Sequence, residues 1–219
     1  MAELTLVKQE ADKKRQRHTV EGIATILAYE GTPPWLGRAI RLAVVSLQRR
    51  DDIVTWAKSS VDLEQNTIKV SPGKTQNYGT PIHLEIVMGD ELRAVVLECM
   101  RSPVVCPYLI HYSPKTRKRS QLDAKLHWNS VTADHLTKEF AKACDGSQAY
   151  KDLLPGERPT FHEIRALGAW LYEQQGFAQE YIQALMGHAD VKMTEHYQAG
   201  HGANEVAFMR VGADLKLQS

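Results

Sequence analysis

The sequence predicts a mainly helical α+β fold with one small antiparallel sheet. Several segments repeat their apolar residues with helical spacing, whereas residues 61–84 alternate with a period of two between turn residues. The chain has 219 residues, of which 43% are hydrophobic and 24% are charged. This length and composition are typical of one globular domain that buries a substantial core.

The N-terminal part begins with a polar stretch, residues 1–18, which we interpret as a tail or interdomain linker. Residues 34–47 are apolar on nearly every face, so they predict a buried helix. Arg49 and Arg50 follow directly after its end.

The predicted sheet occupies residues 61–84. Ile68 and Val70 alternate with polar residues on one strand, and Ile82 and Leu84 do so on another. Pro72-Gly73 marks a turn between these strands, which places Lys74 beside the turn.

Two helices are predicted in the middle of the chain. From Leu92 to Met100 the apolar residues fall at i, i+3, i+4, i+7 and i+8, and Pro103 ends the pattern. The second helix spans residues 130–144, with Val131, Leu136 and Phe140 facing inward.

The last third carries the most specific pattern. Thr160 and Glu163 have the spacing of a capping box and open a helix. His162 and Arg165 are i and i+3 in its first turns, so we expect them to project together, away from the apolar stripe. An imidazole and a guanidinium at a helix N-terminus are suited to binding a phosphate or carboxylate, although solvated surface residues produce the same pattern.

A second polar pair follows. A helix over residues 178–186 is predicted to end at Gly187, which would turn His188 inward. Tyr197 is predicted to lie on a further short helix, nine residues after His188.

Composition excludes several classes of protein. No apolar run approaches the roughly 18 residues that cross a bilayer, and residues 1–18 contain no apolar secretion signal. Cys99, Cys106 and Cys144 are odd in number and lack CxxC spacing, so neither a disulfide framework nor a zinc site is expected. We therefore expect a cytoplasmic protein.

Net charge by itself does not predict a nucleic-acid partner, because it is only +1. The charge is unevenly distributed, however, and two basic clusters suit contact with a phosphate backbone. Solvated surface loops explain such clusters equally well. The clusters are Lys13, Lys14, Arg15 and Arg17 near the start, and Lys115, Arg117, Lys118, Arg119 and Lys125 in the middle.

The order of these polar residues resembles the tyrosine recombinase family, in particular the lambda-type phage integrases. That family has Arg, Lys on a hairpin, His-x-x-Arg, Gly-His and Tyr, and the resemblance extends from about residue 19 to residue 210. Asp52 matches a commonly acidic position that buttresses the active-site arginine. The matching residues are Arg49, Lys74, His162, Arg165, His188 and Tyr197.

Three departures from the family pattern are visible. Ser46-Leu47-Gln48 stands where the family often has Thr-Gly, Arg50 is adjacent to Arg49, and Lys69 is close to Lys74. The spacing to Asp52 favours Arg49 as the catalytic arginine.

The resemblance implies a site-specific DNA recombinase that cleaves and rejoins strands through a 3′-phosphotyrosyl intermediate. Tyr197 would be the nucleophile, and Arg49 and Arg165 would bind the phosphate because guanidinium is permanently charged and can be bidentate. Lys74 would act as general acid and His162 as proton acceptor, with His188 bonding the phosphate or the tyrosine. We expect neither a metal nor another cofactor, since cationic side chains supply the charge.

The resemblance also implies an assembly. We expect a catalytic domain over residues 19–219, lacking the family's N-terminal DNA-clamping domain, with residues 205–219 docking on a neighbouring protomer. The expected partners are double-stranded DNA and a DNA-bending accessory protein, in a homotetramer on DNA for the full-length protein and a monomer for this domain alone. A bacterial cytoplasm, associated with the nucleoid, is the expected location.

Other classes remain open. A non-catalytic DNA-binding module explains the basic clusters but has no need of Tyr197, and a type IB topoisomerase uses a similar site. A metallohydrolase built from His188, Glu195, His196 and His201 lacks HExxH spacing.

Overall fold

The computed structural model describes residues 15–71, 73, 83–116, 125–187 and 208–217. Within these residues the chain forms α-helices, two short 3₁₀ turns and one sheet. The α-helices are α1 (Val20–Ala28), α2 (Pro34–Ser46), α3 (Arg50–Thr55), α4 (Asp90–Met100), α5 (Ala133–Ser147), α6 (Ile164–Gln174) and α7 (Gln179–Leu185), and the 3₁₀ turns are Lys58–Ser60 and Phe161–Glu163.

The sheet has the strand order β1-β2-β3-β4 in the described part of the chain. Its first three strands pair antiparallel, as the alternation predicts, and β3 buries every second residue, namely Leu84, Ile86 and Met88. β4 pairs in parallel with β3, so the sheet is mixed. The strands are β1 (Val61–Asp62), β2 (Thr67–Val70), β3 (His83–Met88) and β4 (Phe208–Ala213).

Helix α2 forms the centre of the core, as its all-round apolar pattern predicts. Nine of its thirteen residues are buried, and it packs between α4 and α6. Gly168 allows α6 to approach closely, because a Cβ at this position would clash with the carbonyl oxygen of Val44. This close approach fixes the distance between the end of α2 and the start of α6.

Helices α4 and α5 are both confirmed, but the predicted start of α5 is wrong. Helix α5 begins at Ala133 rather than residue 130, because the Thr132 side chain caps it by accepting from the His135 N–H, and it continues to Ser147. Val131 is buried but precedes the helix. In both helices the predicted apolar stripe faces the core.

The N-terminal boundary also needs correction. His18 is only 4% exposed and packs edge-on against Phe140, so the packed unit starts before residue 19. Burial of this polar residue is invisible to a local pattern because its neighbours are all charged or polar.

No helix in the described residues combines the length and hydropathy that crossing a membrane requires. The three cysteines are buried and free. Burial raises the pKa of the Cys99 thiol to about 11 and that of Cys144 to about 12, so both thiols are protonated and unreactive at neutral pH.

Candidate active site

Two arginines and one carboxylate meet where α2, α3 and α6 converge. Arg49 is the N-cap of α3, Asp52 lies in the first turn of α3, and Arg165 is the second residue of α6. Burial lowers the pKa of Arg165 to about 10, and the like charge of Arg49 adds to this effect, whereas Asp52 opposes it. Guanidinium groups can bind an oxyanion through several N–H donors, so a pair of arginines in this position is suited to an anion.

The environment of Arg165 differs from the prediction. Arg165 is only 8% exposed, whereas His162 is exposed one turn earlier, so the two side chains do not share a solvated face. The first turn, Phe161–Glu163, is a 3₁₀ turn rather than the expected α-helix. Arg165 uses its Nη2 to donate to the Met186 carbonyl at 2.8 Å.

The adjacent arginine, Arg50, points elsewhere. Its guanidinium donates to Thr137 Oγ1 at 2.8 Å and to the neighbouring Asp51 carboxylate. The Arg49 charge affects the pKa of Arg165, so Arg49 stays the candidate arginine of the site.

The end of α7 is held from two directions. Gln48 Nε2 donates to the Leu185 carbonyl at 2.6 Å, and Arg165 holds the next carbonyl, that of Met186. Gly187 has φ +66°, so the predicted helix stop is confirmed. The sequence pattern does not predict a role for Gln48. The only local signal is that this polar residue stands between an apolar helix and the two arginines.

Asp52 also reaches the turn that precedes Lys74. Its Oδ1 accepts from the Gly73 N–H at 2.9 Å. Among the described residues, Asp52 Oδ2 and Arg49 Nη1 are buried without a hydrogen-bond partner. Buried polar atoms without partners are uncommon, and these two belong to residues that the sequence predicts for the site.

Leu47 connects the core to this site and has an unusual backbone conformation. It is fully buried with φ +54°, a left-handed conformation that costs roughly 1–2 kcal/mol for a residue other than glycine. It stands in the segment where the sequence departs from the Thr-Gly pattern, and it redirects the chain from α2 into Gln48 and Arg49.

Several predicted site residues lie outside the described residues. They comprise three catalytic candidates and five residues of the basic clusters. These residues are Lys74, His188, Tyr197, Lys13, Lys14, Arg117, Lys118 and Arg119.

The described basic residues are not equivalent. Arg15, Arg17 and Lys115 are exposed, but Arg15 donates to Thr160 Oγ1 at 3.3 Å. Lys125 is half-buried and donates to the Tyr112 hydroxyl at 2.9 Å. Lys125 therefore supports its own loop, whereas Arg17 and Lys115 remain open to solvent.

A metal centre receives no support from the described residues, where no three His, Cys, Asp or Glu side chains group to hold an ion. The rival set of His188, Glu195, His196 and His201 lies outside that part of the chain.

A sequence model of the phage integrase family matches residues 16–202. The chain therefore belongs to the phage integrase family, and the resemblance to tyrosine recombinases is confirmed.

Two relatives are each 33% identical. The integrase of Enterobacteria phage P21 aligns over 171 residues, or 77% of this chain and 41% of its own length. Prophage integrase IntE of Escherichia coli K12 aligns over 198 residues, or 88% of this chain and 49% of its own. The chain thus spans about half the length of these relatives.

Solved structures agree with the fold. The lambda integrase catalytic core is 26% identical with a TM-score of 0.60, and the match covers 80% of this chain and 96% of that one. A lambda integrase dimer bound to a COC′ core site is 25% identical with a TM-score of 0.60, covering 82% of this chain and 60% of that one. The predicted α+β recombinase fold is confirmed.

Proposed function

We propose that this chain is the catalytic domain of a site-specific DNA recombinase that cleaves and rejoins strands through a 3′-phosphotyrosyl intermediate. The observation that carries the proposal is the pairing of Arg49 with buried Arg165 beside Asp52. Membership of the phage integrase family supports the same chemistry.

The proposed substrate is double-stranded DNA. The two guanidinium groups match the non-bridging oxygens of one phosphodiester, where negative charge increases in the transition state. The similar lambda integrase dimer is bound to a core site, which supports a DNA duplex as the ligand. In the proposal, Arg17 and Lys115, with the other residues of the two basic clusters except Lys125, contact the backbone on either side.

The proposed step is a transesterification. The Tyr197 oxygen forms a bond to phosphorus, the bond from phosphorus to the 5′-oxygen breaks, and the strand leaves with a 5′-hydroxyl. His162 takes the phenolic proton and Lys74 gives a proton to the leaving oxygen, while His188 bonds the phosphate or the tyrosine. Reversal by another 5′-hydroxyl rejoins the strand without an external energy source.

Asp52 has a supporting role in this proposal. Its charge opposes the repulsion between Arg49 and Arg165, and its contact with the Gly73 N–H holds the turn before Lys74. One carboxylate thereby links the phosphate-binding arginines to the proposed general acid.

We infer a homotetramer on DNA for the whole protein, a monomer for this domain alone, a DNA-bending accessory protein, and a location at the nucleoid of a bacterial cytoplasm. Docking of residues 205–219 on a neighbour remains part of the proposal. Residues 208–213 form β4 in their own sheet, so docking by these particular residues would require β4 to leave β3.

A nicked suicide substrate tests the chemistry. Loss of the short 5′-hydroxyl fragment traps the covalent intermediate, which migrates as a protein–DNA adduct on a denaturing gel. We expect an adduct with the wild-type chain and none with Tyr197→Phe. Tyr29→Phe is the matched control, because the hydroxyl of Tyr29 belongs to a 37% exposed side chain.

Each alternative predicts a different result. A non-catalytic module binds the duplex but forms no adduct, even when an N-terminal DNA-binding domain is attached. A type IB topoisomerase forms the adduct and relaxes supercoiled plasmid without a preferred sequence. An adduct that persists in Tyr197→Phe contradicts the assignment of the nucleophile.

A further inference from the structure

Residues 15–18 pack against the N-terminal end of the segment that carries His162 and Arg165. The Gln16 N–H donates to the Glu157 carbonyl at 2.8 Å, and Arg15 Nη1 donates to Thr160 Oγ1 at 3.3 Å. These contacts place a segment with a linker-like sequence on the wall of the domain.

His18 makes the buried contacts of this segment. Its Nε2 lies 2.8 Å from the Thr160 carbonyl oxygen and its Nδ1 lies 2.8 Å from the Tyr150 hydroxyl. A carbonyl oxygen can only accept, so Nε2 carries the proton and Nδ1 accepts from Tyr150. Burial lowers the pKa of His18, which favours this neutral form.

Thr160 is the residue that orients the first turn of the catalytic segment. Its N–H and its hydroxyl both donate to the Glu163 carboxylate at 2.6 Å, and its carbonyl accepts from the Glu163 N–H at 3.1 Å. His18 binds that same carbonyl. The turn from Phe161 to Glu163 is a 3₁₀ turn. Hydrogen bonds in a 3₁₀ turn have poorer geometry than those in an α-helix, so a donor from outside the turn helps to stabilise it.

We propose that His18 is a positioning residue of the catalytic centre, acting through Thr160 on the placement of His162 and Arg165. This inference rests on the proposed function. A shift of residues 15–18, whatever segment precedes them, changes the orientation of the turn that holds His162. The N-terminal segment thereby communicates with the site through the hydrogen bond from His18 to the Thr160 carbonyl.

Three variants separate the contacts of His18. His18→Leu removes both hydrogen bonds and keeps an apolar side chain against Phe140. His18→Gln restores an N–H donor that reaches the Thr160 carbonyl. Tyr150→Phe removes the hydroxyl at Nδ1 and leaves the Nε2 bond, so it serves as the matched control.

Amide hydrogen exchange tests the positioning without any reaction. In His18→Leu we expect residues 161–165 to exchange about tenfold faster than in wild type, because the hydrogen bond to the Thr160 carbonyl is lost. Helix α4, which is remote from Thr160, keeps its wild-type rates, and His18→Gln returns residues 161–165 toward theirs. Equal acceleration in all helices, or none at residues 161–165, overturns the proposal.

Covalent-adduct formation on the suicide substrate tests the consequence. With DNA at saturation we expect His18→Leu to lower the single-turnover rate about tenfold, with His18→Gln and Tyr150→Phe within about threefold of wild type and DNA affinity unchanged within about twofold. A His18→Leu rate equal to wild type refutes the positioning role. Absence of adduct in wild type refutes the proposed function instead, and the exchange measurement then decides the inference on its own.

Discussion

The two ends of α6 use their polar groups in opposite ways. At the N-terminal end, Arg165 is buried beside the like charge of Arg49. At the C-terminal end, Tyr172 donates to the Val45 carbonyl at 2.7 Å and accepts from the Leu215 N–H at 3.3 Å. Two like charges therefore lie together at one end, whereas at the other end the Tyr172 hydroxyl is hydrogen-bonded to the backbone on both sides.

The C-terminal end of α6 also holds the segment after β4. The Gln175 side-chain amide donates to the Lys216 carbonyl at 2.7 Å and accepts from the Lys216 N–H at 3.1 Å. Tyr181 on α7 donates to Asp214 at 3.0 Å. We therefore expect mutations at the first end to affect the reaction, and mutations at the second end to affect stability and the C-terminal segment.

Arg165→Met should produce the largest effect. Loss of this phosphate-binding cation should lower the rate of adduct formation by about 10²–10³-fold, as loss of a preorganised donor does in other enzymes. Unfolding in urea should show little loss of stability, because a buried charge beside Arg49 is also removed. Arg50→Met is the matched control, and equal rate losses in both variants would contradict the assignment of Arg165.

Tyr172→Phe should show the opposite behaviour. It leaves the Val45 carbonyl and the Leu215 N–H without their partner, so the free energy of unfolding should fall by about 1–3 kcal/mol. The adduct rate, measured below the melting temperature of the variant, should stay within about threefold of wild type. A rate loss as large as that of Arg165→Met would mean that the two ends are not separable.

The pH dependence of stability should also distinguish the two ends. His18 has a lowered pKa in the folded state, so the unfolded chain binds its proton first and stability is lost as pH falls below about 6.5. This loss should contribute up to about 1.4 kcal/mol per pH unit and then level off below the folded pKa. Burial lowers the pKa of His111 and His135 as well. His18→Gln should therefore reduce the dependence of stability on pH without abolishing it.

The C-terminal end should not contribute to that slope. Burial raises the pKa of Tyr172 and of Tyr181, so both phenols stay neutral throughout the acid range. Urea unfolding of wild type, His18→Gln and Tyr172→Phe at pH 7 and pH 5 measures the difference. A slope that Tyr172→Phe reduces as much as His18→Gln would reject this explanation.

Gln175→Ala should give the smallest effect. It removes two exposed hydrogen bonds to Lys216, so stability should fall by about 0.5–1.5 kcal/mol. Amides of residues 208–217 should exchange faster while those of residues 161–165 do not change. Gln174→Ala, at the exposed neighbouring position, is the control, and unchanged exchange in Gln175→Ala would show that β4 pairing alone holds the tail.

Much of the fold was predictable because its signals are local. Apolar spacing identified α2 and α4, alternation identified the antiparallel strands, and Thr160 with Glu163 marked the start of the α6 segment. Helix α5 begins three residues later than predicted, because the Thr132 side chain caps it and overrides the apolar pattern there.

Other features could not be read from local patterns. The parallel pairing of β4 with β3 and the burial of His18 both join distant parts of the chain. Leu47 adopts a left-handed conformation that its residue type disfavours, so propensity alone predicts against it. Gln48 has an ordinary surface residue type but is buried against the end of α7.

The order of the chemical groups along the chain, and the helices and turns that short-range hydrogen bonds and apolar spacing specify, follow from the amino-acid sequence. Three features arise only when the chain packs: the charge of Arg49 acts on Arg165, Arg165 is buried while His162 is exposed, and His18 binds the carbonyl of Thr160, 142 residues away. Burial and electrostatic coupling depend on packing between helices, which no local pattern encodes.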